Sequence, residues 1–264
     1  MRRAHALLLP LLACASLPAG AHASQTTKLH VAFTPERLGH GTSMKIELQI
    51  TAPPGSLPSP LTELDLRYPN SLGMTDGGLG LETCSQARIE LTGSKGCPSA
   101  SRIGGGSALV EIPLGPKIIR EDASISILRV PEEGKHLAML FYAAGKSPVD
   151  AQISLPALIL PASAPYERIH IGVPLVPSFP GAQVALVRLS ITLGPRSLTY
   201  YERADGKVLS YHPQGVLLPR RCPRAGFAFS AYFTFLDGSH SRSSSTVPCP
   251  TPHSGRPRAR SAPR

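Results

Sequence analysis

The sequence predicts an all-β protein, an antiparallel two-sheet β-sandwich of Ig-like or jelly-roll-like kind. Three observations predict it. Apolar and polar residues alternate singly in segment after segment, the period of a strand with one buried face. The 264 residues include 28 prolines, and proline breaks helices but is tolerated at strand ends and edges. About a dozen such segments can be counted, with turn signals between them and no convincing amphipathic helix. That pattern means a two-sheet sandwich or a barrel, and the sandwich is the expectation adopted here.

The strongest segment is Phe227 to Leu236. Every second residue reads Phe227, Phe229, Ala231, Phe233, Phe235, so one face carries four of the seven phenylalanines in the chain. Asp237-Gly238 follows and signals a hairpin. The return segment, Ser239 to Thr246, is nearly all serine. It has little to bury and reads as an edge strand, with Arg242 placed to discourage edge-to-edge pairing.

The other strands are justified in chain order. Leu29, Val31 and Phe33 alternate with Lys28 and His30. Met44, Ile46, Leu48 and Ile50 alternate with Lys45, Glu47, Gln49 and Thr51. Leu64, Leu66 and Tyr68 alternate with Glu63, Asp65 and Arg67. Residues 70–104 are less regular, and Cys84 to Cys97 encloses a short excursion with room for one helical turn. Strand pattern resumes at Ser107–Ile112. It continues at Ile125 and Ile127, at Leu137–Ala144, at Ala151–Leu155, and at Ile169 and Ile171 around His170. Val187, Leu189, Ile191 and Leu193 form another alternating set, and Leu198–Tyr201 and Lys207–Tyr211 flank a second hairpin signal, Asp205-Gly206.

The first residues have the order of a secretory signal peptide: Arg2-Arg3, an apolar run from Ala6 to Ala13, then Ala21-His22-Ala23 as a small-x-small cleavage site. Cleavage after Ala23 is expected. Lipidation at Cys14 after a loose lipobox, Leu11-Leu12-Ala13, is the minor alternative. Cleavage removes Arg2 and Arg3 and lowers the formal charge from +10 to +8. The expected organisation is a signal peptide over 1–23, a β-sandwich domain over 24–250 (or two smaller β subdomains), and a disordered basic tail over 251–264 rich in Pro, Ser, Gly and Arg. No later segment approaches the ~20 apolar residues of a membrane-spanning helix. The expected location is secreted, extracellular or in the cell envelope.

Removing Cys14 leaves four cysteines, an even number that argues for disulfides in an exported chain. Of the three pairings, Cys84–Cys97 and Cys222–Cys249 are expected, because each pair is close in sequence. With no Cys-x-x-Cys present, a redox or zinc-knuckle reading is weak.

The run Cys97-Pro98-x-x-Ser101-x-Ile103-Gly104-x-Gly106-x-Ala108 is preceded by Cys84. It is followed by Cys222-Pro223, by Phe229-x-Ala231-x-Phe233-Thr234-Phe235-x-Asp237-Gly238, and by Cys249-Pro250. With these motifs the chain resembles secreted, disulfide-bonded, β-rich proteins of unknown function from high-GC actinobacteria. The single asparagine, Asn70, fits a high-GC genome. The resemblance covers most of the mature chain and implies a fold and an address. It supplies no catalytic residue.

The common catalytic signatures are missing: Gly-x-Ser-x-Gly, Ser-x-x-Lys, His-Glu-x-x-His and the EF-hand loop. No catalytic, cofactor-binding or metal-binding residue is therefore assigned, and no cofactor is implied. His30 and His170 lie on the polar sides of their strands and read as surface residues. Gly104-Gly105-Gly106-Ser107 leads into a strand rather than a helix, so it reads as a tight turn or bulge and not as a phosphate loop. Glu132, Glu133, Asp65 and Glu111 could supply a glycosidase pair, but any β-protein has as many acids. Arg220, Arg221 and Arg224 surround Cys222, and Arg256, Arg258, Arg260 and Arg264 load the tail. These arginines are candidates for contact with anionic cell-wall polymers or lipid head groups. Nucleic acid is disfavoured, because tryptophan is absent and no aromatic residues interleave with the basic ones. The expectation is a non-enzymatic binding or structural protein. The alternative is a hydrolase acting on wall polymers or glycans through an unrecognised site.

Overall fold

A computed structural model describes residues 25–74, 82–145, 147, 150–175, 183–194, 199–212 and 215–250. The expected leader over 1–23 and the basic tail over 251–264 lie outside the described residues. The strands are β1 (Thr26–Thr34), β2 (Gly41–Thr51), β3 (Leu61–Pro69), β4 (Arg102–Leu114), β5 (Lys117–Glu133), β6 (His136–Gly145) and β7 (Gln152–Pro161). They continue with β8 (Tyr166–Gly172), β9 (Ala185–Leu193), β10 (Tyr200–Ala204), β11 (Lys207–Tyr211), β12 (Val216–Leu217), β13 (Phe227–Phe235) and β14 (His240–Val247). One short α-helix, α1 (Gln86–Thr92), and two single 3-10 turns, Ser94–Gly96 and Ser99–Ser101, lie between β3 and β4 among the described residues.

The all-β, antiparallel expectation holds, but the strands do not divide into the two packed layers of a sandwich. Twelve of them form one sheet, in the order β1-β2-β9-β4-β5-β6-β7-β8-β3-β13-β14 with β12 pairing onto β2, and β10 and β11 form a separate two-stranded sheet. Every neighbouring pair along that path is antiparallel. Its two edges meet, so the molecule is close to a closed barrel. The eleven strands of the path alternate in direction, so the first and last must run the same way. Three side-chain contacts confirm this with one constant offset of 214 residues: Gln25 to Ser239, Thr27 to Ser241, and Val31 to Ser245. The Thr27 and Ser241 hydroxyls are 2.9 Å apart, and the Val31 N–H donates to Ser245 Oγ at 3.2 Å. The serine-rich strand expected at an edge is indeed the last in the sheet. Its inward serines supply across the seam the polar partners that a backbone ladder would otherwise provide.

Alternation sets the faces as expected. Phe227, Phe229, Phe233 and Phe235 point inward and are buried, and Phe33 meets the Phe227 ring edge-on at 5.4 Å. They join Val31, Met44, Ile46, Leu64, Ile127 and many others in one continuous core. Lys28, His30, Lys45, Glu47 and Arg67 stand on the outer rows, the opposite sense to a barrel whose outside meets lipid. Among the described residues no helix is long and apolar enough to cross a membrane. Tyr68 is fully buried and donates its hydroxyl to Glu167 Oε2 at 2.8 Å. Burial, with help from that carboxylate, pushes its phenol far above the ordinary tyrosine range.

Both disulfides form as expected, Cys84–Cys97 and Cys222–Cys249, with Cα separations of 5.5 and 5.8 Å. Such bonds belong to an oxidising compartment. The Cys84–Cys97 excursion contains α1, whose first turn is capped by the Ser85 hydroxyl. Ile89 of α1 packs with Leu128, Leu140 and Tyr142 from the outer rows of β5 and β6, which explains why β6 is apolar on both faces. The hairpin at Asp205-Gly206 is a two-residue turn with φ positive at both positions, as a type I′ turn requires. The last hairpin differs from expectation by one residue. Thr234 pairs with His240, and Phe235 N–H donates to Ser239 C=O, so the loop is Leu236-Asp237-Gly238 with Gly238 left-handed. This shift sets Cys249 opposite Ala225. A turn at Pro223–Gly226 then folds Cys222 back to reach it.

The three glycines after Ile103 lie inside β4, and a register shift between Arg102 and Gly104 marks a bulge there. A Cβ on Gly104 would come within 2.5 Å of Thr192 O, and one on Gly106 within 2.0 Å of Ser190 O. The close approach of β9, more than turn geometry, is what demands glycine here.

Candidate functional site

An eight-stranded barrel is just wide enough for side chains to fill or to hold one small ligand. Eleven strands enclose more space, and the phenylalanine row of β13 fills only one side of it. On the other side a cavity of about 150 Å³ remains. It lies at one rim of the barrel, where β3, β5, β7 and β9 begin and β4, β6 and β8 end. Its walls are aliphatic and aromatic, including Val110, Ile125, Phe141, Leu155, Ile171 and Leu189. Ala108, Ala123, Ala143 and Ala151 also face it, and their small side chains help to keep it open. The neighbouring ladder is incomplete here. β7 pairs with β8 only from Ala157 onward, so Pro156 sits where β7 has no β8 partner and its missing N–H costs no bond to that strand.

Two polar side chains line this cavity among the described residues, Glu121 and Gln183. Glu121 belongs to the inward row of β5 with Ala123, Ile125 and Ile127. It is only 3 % exposed, and its Oε1 is buried with no hydrogen-bond partner among the described residues. An unpaired buried acceptor costs about 1–3 kcal/mol, and more when charged, so this atom requires an explanation. Sequence reasoning missed it. Glu121 stands in Arg-Glu-Asp and reads as one of three surface charges. The signal that could have found it is parity, because it is two and four residues before Ala123 and Ile125.

The residues singled out from the sequence do not come together. Asp65 and Glu111 are on outer faces with four strands between them in the sheet order. Glu111 is held by Arg120, whose Nε donates at 2.7 Å. Glu132 and Glu133 are exposed, and Glu132 is 3.9 Å from Arg129. His30 is exposed on β1, as expected. His170 is half-buried, with Nδ1 3.0 Å from Asp65 Oδ1 and 3.4 Å from Glu63 Oε1. Those three offer metal-ligand atoms within 4.8 Å of one another, but Arg168 Nη1 already donates to Asp65 Oδ2 at 3.1 Å. The group is therefore accounted for as an ion-paired network on the outer face. Arg220, Arg221 and Arg224 are exposed around the Cys222–Cys249 bond, while the tail arginines lie outside the described residues.

Fold and site together define a nearly closed antiparallel β-barrel with an apolar cavity at one rim and a buried carboxylate in its wall. Comparison with protein-family models, curated proteins and solved structures finds no match for the chain.

Proposed function

We propose that this is a non-enzymatic extracellular or cell-envelope binding protein whose barrel takes a small apolar ligand into the rim cavity. The observation that carries this reading is the cavity itself, about 150 Å³ of space bounded by Ile125, Phe141, Leu155 and Ile171. An apolar cavity of about that volume stays dry and takes up a benzene-sized molecule. A hydrolase would need several polar or titratable groups converging on one point. Here the lining contributes one titratable side chain among the described residues, Glu121. The signal-peptide pattern and two disulfides support an exported location. On the same reading, exposed Arg220, Arg221 and Arg224 supply a secondary electrostatic contact to anionic wall polymers or head groups, one that weakens with salt.

The test is titration of the protein with toluene, followed by NMR of the Ile and Leu methyl groups. Shifts are expected at Ile125, Leu155 and Ile171. Ala143→Phe, which fills the cavity, abolishes them while leaving the melting temperature unchanged or raised. Uniform small shifts across the surface, or binding that survives Ala143→Phe, would refute the assignment.

A further inference from the structure

We infer that the ligand of this cavity is a lipophilic amine, a benzene-sized apolar group bearing one ammonium that Glu121 receives. The inference rests on the cavity reading above and deepens it. Two independent observations meet at this place. One is the apolar cavity at the rim; the other is Glu121 Oε1, buried in its wall with no donor among the described residues.

The protein's nearby charges leave that oxygen unserved. Arg120 and Asp122 flank Glu121 in sequence, but a strand turns them to the outer face, where both are exposed. Arg120 gives its Nε hydrogen to Glu111 Oε1 at 2.7 Å, on the outside of β4. Gln183 is the other polar residue of the lining, and the lining includes no cationic side chain among the described residues. A buried carboxylate in apolar walls is best matched by a ligand that brings both a donor and a positive charge. Charge-assisted hydrogen bonds are the strong ones, and they gain most where water is excluded. A ligand carboxylate would meet Glu121 as a like charge. A plain hydrocarbon would fill the walls and leave Oε1 unpaired. The ammonium is strongly hydrated, so its transfer is favourable only because Glu121 waits at the wall while the ring takes the apolar space.

Benzylamine, toluene and benzoate test this with one ring and three head groups. At pH 7 an alkylammonium is protonated. Calorimetric titration of the full chain is expected to rank benzylamine about 10–100-fold tighter than toluene, with benzoate undetected. Glu121→Gln keeps the side-chain size, removes the charge, and brings benzylamine down to or below the toluene value while toluene itself is unchanged. Benzylamine no tighter than toluene would overturn the amine assignment and leave the cavity reading standing. Equal weakening of both ligands by Glu121→Gln would also overturn it, because the residue would then act on cavity shape alone. Binding of none of the three would refute the cavity reading and this inference with it. The ranking on the unaltered protein needs no variant, so it decides the question even where Glu121→Gln does not fold.

Discussion

Closure of the barrel along β1 and β14 depends on hydroxyl groups, and Ser245 is the one to perturb. Its Oγ accepts from the N–H of Val31, a residue only 3 % exposed. Ser245→Ala removes one hydrogen bond, worth about 0.5–1.5 kcal/mol, and leaves a buried donor unpaired, which costs about 1–3 kcal/mol. The two figures overlap in what they count, so the expected loss is about 1–3 kcal/mol. For a domain of this size each kcal/mol lowers the melting temperature by about 2–4 °C, giving a fall of about 2–12 °C. Ser244→Ala is the control: the same chemistry on the same strand, one residue away, on the exposed outer row. It should stay within about 0.5 kcal/mol of the parent. Native-state hydrogen exchange gives the local readout, since the Val31 amide should exchange faster in Ser245→Ala and at the parental rate in Ser244→Ala. Equal melting temperatures for the two variants, with Val31 still protected in both, would refute the claim that the serine row holds the seam.

Two further perturbations test the frame around the cavity. Replacing Cys222 and Cys249 together by serine reopens a loop of 27 residues, which in the chain-entropy model removes about 3.5 kcal/mol; urea unfolding checks this, and an unchanged midpoint would mean the turn at Pro223–Gly226 holds the ends unaided. Gly106→Ala sets a methyl carbon 2.0 Å from Ser190 O, so β4 and β9 must part, at about 1–3 kcal/mol by overpacking. A thermal scan showing no loss would mean the strands separate freely there.

Much of this architecture was legible because period-2 alternation reports directly which side of a strand is buried. Phe227, Phe229, Phe233 and Phe235 are inside, and the serines of β14 are at an edge. The hairpin at Asp205-Gly206 was legible for a different reason, since few residues tolerate positive φ at two successive positions. Strand neighbours were not legible. Alternation says which face is wet but not which strand lies alongside. The pairs that turn a sandwich into a barrel are also far apart in sequence: β2 with β9, β9 with β4, and β3 with both β8 and β13. The last hairpin lies one residue from the pattern because Leu236, apolar and next to the strand, continues the alternation in the sequence yet is the first residue of the loop.

The candidate site was hidden by a subtler version of the same limit. Glu111 and Glu121 lie on adjacent strands, and both are largely buried. In the sequence Glu111, between Val110 and Ile112, looks the nearer of the two to a core, while Glu121, between Arg120 and Asp122, looks like a surface charge. The pleat separates them. Glu111 falls on the outer row of β4, opposite Arg120 in the register, and its charge is answered there. Glu121 falls on the inner row of β5 opposite Val110, where its Oε1 has no hydrogen-bond partner among the described residues. A fold selected for stability alone would carry an apolar residue at position 121, as it does at 123, 125 and 127. Glu121→Leu should therefore stabilise the protein and, on the amine reading, abolish the preference for benzylamine over toluene. A Glu121→Leu variant no more stable than the parent would refute the claim that the buried carboxylate carries this cost.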